Sequence, residues 1–168
     1  MNTIRRRTLA ELAVGALLFL PLVVSAGDPN TDLAAGIDAF NRGDLIGAMA
    51  AYEAAAESGS AEAQVRLAYI LDQAEENEPA VRWYRAAAEQ GHPEGLAGLA
   101  EMYSKGEGID KDDTEALRLF EAAAEAGHQG SMRVLAAAYE KGQLGLTPDT
   151  ARAAYWRSRE KMEAADPD

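Results

Sequence analysis

The chain of 168 residues holds two histidines, His92 and His128, the side chains whose ordinary pKa lies closest to neutrality. An imidazole can ligate zinc, activate a nucleophile or shuttle a proton, so both invite a chemical reading. Each directly follows a glycine, Gly91 or Gly127, in contexts 36 residues apart, and repetition alone accounts for the pair. Equivalent atoms on neighbouring turns of a helical array lie roughly 10 Å apart, too far to share one ion. No cysteine and no third histidine completes a ligand set. A Ser-His-Asp or Cys-His nucleophile needs a histidine outside the repetition, and the chain has none.

Asp110, Asp112, Asp113 and Glu115 crowd one loop and raise the question of calcium. An EF-hand-type loop requires a glycine at its sixth position and a bidentate glutamate at its twelfth, and neither is present. Asp112 with Glu115 reads instead as a helix-capping box. Glycosidase-like carboxylate pairs cannot be singled out among 28 Asp and Glu. A stack of helices also lacks the deep enclosed cleft in which acids and bases acquire shifted pKa values. The sequence therefore predicts no catalytic residue, no metal and no cofactor: the chain does not read as an enzyme.

What must position these side chains is a repeat array. Ala86-Ala87-Ala88-Glu89-Gln90-Gly91-His92 has close copies at Ala55-Ala56-Glu57-Ser58-Gly59 and at Ala122-Ala123-Ala124-Glu125-Ala126-Gly127-His128. The glycines stand 32 and then 36 residues apart, a period that implies stacked supersecondary units. Counted from each glycine, offset 4 is Ala63, Gly95 or Ser131, offset 8 is Leu67, Leu99 or Leu135, and offset 9 is Ala68, Ala100 or Ala136. Offset 12 is Leu71, Tyr103 or Tyr139. These offsets share one face of a 3.6-period helix, alternating small and large side chains so that a second helix can approach closely. Second helices carry Ala80, Trp83, Tyr84 and Ala87, then Ala116, Leu119, Phe120 and Ala123, then a third copy within Ala151 to Trp156 with Tyr155 and Trp156 as its large residues. That spacing assigns the aromatics to packing rather than to a sugar platform. Upstream, Gly43-Asp44 makes the turn of a half-variant hairpin that resembles the tetratricopeptide pattern, a resemblance that implies Phe40 and Tyr52 packing across the hairpin.

Between paired helices, Gly106-Glu107-Gly108-Ile109-Asp110-Lys111-Asp112 matches Gly142 to Asp149, with Ile109 and Leu146 tucking back onto the core. Thr147 before Pro148 reads as an N-cap followed by a first-turn proline. Asp72 to Asn77 replaces the glycine loop in the first full repeat, whose turn must therefore differ.

Residues 1–26 are of another kind. Arg5, Arg6 and Arg7 form a basic start, Leu12 to Leu20 an apolar run, and Val24-Ser25-Ala26 supplies small residues before a cut between Ala26 and Gly27. This predicts a cleavable signal peptide, since Pro21 interrupts an apolar run short of the roughly 20 residues that span a bilayer. The general secretory route fits better than the weak twin-arginine resemblance of Arg6-Arg7-Thr8-Leu9. A short polar leader, 27–31, then precedes the array at 32–164, divided as 32–58, 59–90, 91–126 and 127–164. Cleavage would change the formal charge from −12 to −14, because it removes three of 16 basic and one of 28 acidic residues. Nucleic acid and anionic membrane surfaces both demand a basic footprint, so neither is an expected partner. The absence of cysteine excludes a disulfide framework and a lipidated N-terminal cysteine.

Taken together, the small residue at offset 4, Leu-Ala at 8 and 9, Tyr at 12, Gly-x-Gly-Ile-x-x-Asp, Ala-x-x-aromatic and Ala-Ala-Glu-x-Gly-His resemble the Sel-one-like repeat (SLR) family over roughly 33–160. The resemblance implies an all-α protein, an α/α superhelical solenoid of SLR and tetratricopeptide-like hairpins. It also implies a non-catalytic scaffold or regulator that binds a protein partner, such as the periplasmic domain of a sensor kinase or an envelope-assembly component. The rival expectation is an envelope enzyme or ligand binder acting on peptidoglycan or polysaccharide. Exported without an anchor, the protein is expected to be a periplasmic or secreted monomer. Positions that the packing stripe leaves free on the first helices are the candidate binding residues: Arg66, Tyr69 and Gln73, then Glu101, then Arg133, with Val65, Ala97, Gly98, Val134 and Ala137 beside them.

Overall fold

The computed structural model describes residues 28–165, and the expected signal peptide lies outside them. Eight helices and no strand occur among the described residues: α1 Pro29–Asn41, α2 Leu45–Glu57, α3 Ala61–Gln73, α4 Asn77–Glu89, α5 Pro93–Lys105, α6 Asp113–Glu125, α7 Gln129–Lys141 and α8 Thr150–Ala165. Four antiparallel hairpins, α1/α2 through α7/α8, stack in chain order, with α2 on α3, α4 on α5 and α6 on α7. First helices α3 and α5 also touch, so odd-numbered helices form one layer and even-numbered helices the other. The chain is the all-α solenoid that the spacing implied. None of these helices is long and apolar enough to cross a membrane.

Alanine makes the stack close. Ala48, Ala55, Ala63, Ala68, Ala80, Ala87, Ala100, Ala116, Ala123 and Ala124 are wholly buried and let helix axes approach, while Leu67, Leu99 and Leu135 fill the gaps between them. Each hairpin offers too little apolar surface to fold alone, and stacking makes the core continuous. Ile109 and Leu146 pack against that core from their loops.

One backbone bond recurs in all four hairpins. The N–H of the residue that caps the second helix donates to the same carbonyl of the first: Asp44 to Ala39 at 2.9 Å, Glu76 to Leu71 at 2.9 Å, Asp112 to Tyr103 at 3.0 Å and Asp149 to Tyr139 at 2.7 Å. Between hairpins the same device links Ser60 to Ala55, His92 to Ala87 and His128 to Ala123. Loop length varies, yet the anchor that fixes where the next helix starts does not.

Several local expectations need correction. α1 begins at Pro29, inside the stretch taken as leader, because the Asp28 carboxylate caps it by accepting from Asn30 N–H. Asp112 does cap α6, but Glu115 does not reciprocate; its carboxylate holds Arg118, while the Asp112 N–H is already engaged by Tyr103. The cap of α8 is Asp149, which accepts from the N–H groups of Ala151 and Arg152, so Thr147 and Pro148 belong to the loop. The α8 register accordingly moves. Ala153 and Trp156 are buried where Ala116 and Leu119 stand in α6, and Tyr155 is 50% exposed. Phe40 is likewise exposed rather than packed into its hairpin, whereas Tyr52 is buried. Where α6 offers Phe120, Ala123 and Ala124 to its neighbour, α8 carries Arg157, Glu160 and Lys161, with Arg157 paired to Glu140 and Glu160 to Arg133.

Candidate functional site

A groove of about 540 Å³ runs along the odd-helix face from α1 across α3 and α5 to the start of α7. Its walls come from α3, which contributes Glu62, Val65, Arg66, Tyr69, Asp72 and Gln73, and from α5, which contributes Glu94, Ala97, Gly98, Glu101 and Lys105. Helical spacing explains the convergence: residues three and four apart repeat along one face, so Glu62, Arg66, Tyr69 and Gln73 form a single row. Of the five residues chosen from the sequence, Arg66, Tyr69, Gln73 and Glu101 lie together here. Arg133 lies elsewhere, on α7, with its guanidinium donating to Glu160 at 3.2 Å. Ala97 is buried and Gly98 is covered, so these two are packing positions and not free ones.

The groove's floor comes from the other layer. Tyr52 of α2 and Tyr84 of α4 both line it although both are buried. Each reaches through the odd layer over a glycine: a Cβ on Gly36 would stand 2.5 Å from the Tyr52 ring, and one on Gly98 would stand 2.4 Å from the Tyr84 ring. Only a residue without Cβ leaves room for the ring at that distance. Burial first, and then the negative charges of Asp72 and Glu101, push the Tyr84 hydroxyl pKa up and keep it protonated. The Tyr52 hydroxyl is buried and has no hydrogen-bond partner among the described residues.

Charge in the groove is unevenly matched. Arg66 Nε sits 2.6 Å from Glu62 Oε1, and Lys105 Nζ lies 3.8 Å from Glu101 and 3.4 Å from Glu107. Asp72 has no ion-pair partner among the described residues; its carboxyl is raised above its ordinary value, chiefly by burial, with Lys105 opposing and Glu107 adding. His92 bridges two helices, with Nε2 3.3 Å from Glu62 and Nδ1 3.1 Å from Glu94. His128 has a structural duty. Its Nδ1 accepts the Ser131 N–H at 3.1 Å, capping α7, and burial lowers its pKa, so the ring is neutral with its proton on Nε2. No cluster of three or more potential metal ligands occurs among the described residues.

The tyrosine floor was missed because core spacing explains Tyr52 and Tyr84 equally well. The available signal was their equivalence across 32 residues, with Phe120 losing the hydroxyl at the next copy.

The stacked hairpins define a helical-repeat solenoid. The Sel1 repeat model matches residues 61–92, 93–128 and 130–156, and the chain belongs to that family. Sel1 repeat proteins are generally non-enzymatic scaffolds for protein interaction. Among solved structures, a Sel1 repeat protein from Oxalobacter formigenes is similar at 29% identity and a TM-score of 0.73, covering 80% of this chain and 58% of its own. A protective antigen present in uropathogenic Escherichia coli strains, displaying an SLR fold, is similar at 30% identity and a TM-score of 0.74, covering 82% of this chain and 31% of its own. The chain thus spans less than two thirds of either protein. No curated protein sequence matches it.

Proposed function

We propose that the protein is a periplasmic, monomeric, non-catalytic scaffold or regulator that binds a protein partner in the groove on the concave, odd-helix face. The observation that carries this reading is the convergence of Arg66, Tyr69, Gln73 and Glu101, with Tyr69 52% exposed and outside the buried core. Tyrosine and arginine are the residue types enriched at interface hot spots. The basic start, apolar run and Val24-Ser25-Ala26 support export. Sensor-kinase periplasmic domains and envelope-assembly components are the partner classes that fit this location, and the charged outer surface of α8 fits a monomer.

The test is capture of partners from a periplasmic extract with the purified protein as bait. Tyr69→Ala and Arg66→Ala each weaken capture by at least about 1 kcal/mol, roughly fivefold in Kd, with an unchanged melting temperature. Unchanged capture by both folded variants assigns binding to another face. Mass spectrometry of the exported form finds Gly27 at its N-terminus; an intact Met1 rules out the cleavage.

A further inference from the structure

We propose that the groove is built for an extended cationic segment of the partner protein, with a lysine or arginine side chain seated at Asp72 and the buried Tyr52 hydroxyl hydrogen-bonding the segment. The inference rests on the preceding reading that the odd-helix face binds protein, and it names the chemistry of what is bound.

Two independent observations meet at this site. The first is charge: among the described residues, Glu62, Asp72, Glu94 and Glu101 face two lysine or arginine cations in the groove, Arg66 and Lys105. Arg66 is taken by Glu62, and Lys105 is drawn towards Glu101 and Glu107. Asp72 is left partly buried without an ion pair among the described residues, offset only at a distance by Lys105, an arrangement that a cation from outside relieves. The second is the hydroxyl of Tyr52, a groove-lining residue only 1% exposed, which has no hydrogen-bond partner among the described residues. Buried hydroxyls are ordinarily satisfied, and an incoming backbone carbonyl or amide can satisfy this one.

Shape favours an extended chain. Crossing from α1 over α3 and α5 to α7 covers three helix spacings of roughly 10 Å, which takes about nine residues at about 3.3 Å each. Tyr69 and Phe40 rise beside the groove as exposed rings against which long aliphatic side chains can lie. A neutral saccharide supplies hydroxyl groups but no positive charge for Asp72, and an acidic segment meets like charge along both walls.

The experiment pans a random nonapeptide library displayed on phage against the protein purified from cells expressing the full chain. Selected peptides are expected to be enriched in Lys and Arg and depleted in Asp and Glu. Asp72→Asn should weaken them by at least about tenfold, with the loss shrinking as salt is raised. Tyr52→Phe should weaken them by about threefold while leaving the melting temperature unchanged, because the hydroxyl has no partner to lose within the protein. Enrichment of neutral or acidic peptides overturns the proposal, as does indifference to Asp72→Asn in a folded variant. If such peptides still depend on Tyr69 and Arg66, the protein-binding reading stands and only its cationic refinement falls. Binding of muropeptides or oligosaccharides in place of any peptide overturns both.

Discussion

The two halves of the array connect their helices differently. In α1/α2 and α3/α4 the capping residue comes five positions after the carbonyl that anchors it, Ala39 to Asp44 and Leu71 to Glu76; in α5/α6 and α7/α8 the same anchor spans nine and ten positions, Tyr103 to Asp112 and Tyr139 to Asp149. The halves also differ in what stands at equivalent sites. Gln64 occupies the position of Leu96 and Met132, and Tyr52 and Tyr84 occupy that of Phe120. At these equivalent positions the C-terminal half carries hydrocarbon and the N-terminal half polar groups, and the groove lies mainly on the N-terminal half. The comparison teaches that one backbone anchor tolerates loops of either class, leaving side chains to specialise.

The largest expected effect breaks the array where its halves meet. Leu99 is buried among α4, α5 and α6 neighbours, and Leu99→Ala should cost about 2–5 kcal/mol. A single shifted thermal transition shows the halves melting together; two separated transitions show them uncoupled; a melt identical to wild type disproves the burial. An intermediate effect comes from making the first half resemble the second. Gln64 donates to the Ala56 carbonyl at 3.1 Å and accepts from Gln90 at 2.8 Å, tying three helices together. Gln64→Leu should lower stability by about 1 kcal/mol in chemical denaturation. A gain instead would mean that the hydrocarbon solution of the C-terminal half suits both.

The smallest effect concerns the short turn itself. Glu75 takes the left-handed position at φ 61°, where the corresponding residue of the first hairpin is Gly43 at φ 78°. A side chain there costs about 1–2 kcal/mol, part of which glycine returns as unfolded-state entropy, so Glu75→Gly should stabilise by up to about 1 kcal/mol. A loss of stability would reveal a contact made by the Glu75 carboxylate.

Periodicity made the hairpins, their order and most of the core legible before any coordinates, because small and large residues recur at fixed offsets from Gly59, Gly91 and Gly127. Where the repeat degenerates, the reading slipped. At α8 the cap is one of several polar residues near a proline, and only backbone geometry distinguishes Asp149 from Thr147. The row Arg66, Tyr69, Gln73 followed from helical spacing alone. Its counterpart from the even layer did not, since a tyrosine at core spacing gives no sign of which end emerges; that depends on Gly36 and Gly98 standing opposite. Asp72 was invisible for a related reason. Whether a carboxylate is paired depends on how neighbouring hairpins are set, and no single repeat contains that information.

Tyr52 and Tyr84 belong to both the packing and the groove, and this has a bearing on how such a protein changes over time. In an interface built only from surface side chains, partner choice drifts without touching the fold. Under the binding proposed above, a substitution that retunes the groove floor also alters the helix stack, and a repacked interior would show itself as altered partner preference. On that proposal the exposed row on α3 would be free to diversify, whereas the floor beneath it would move only in steps that both folding and recognition accept.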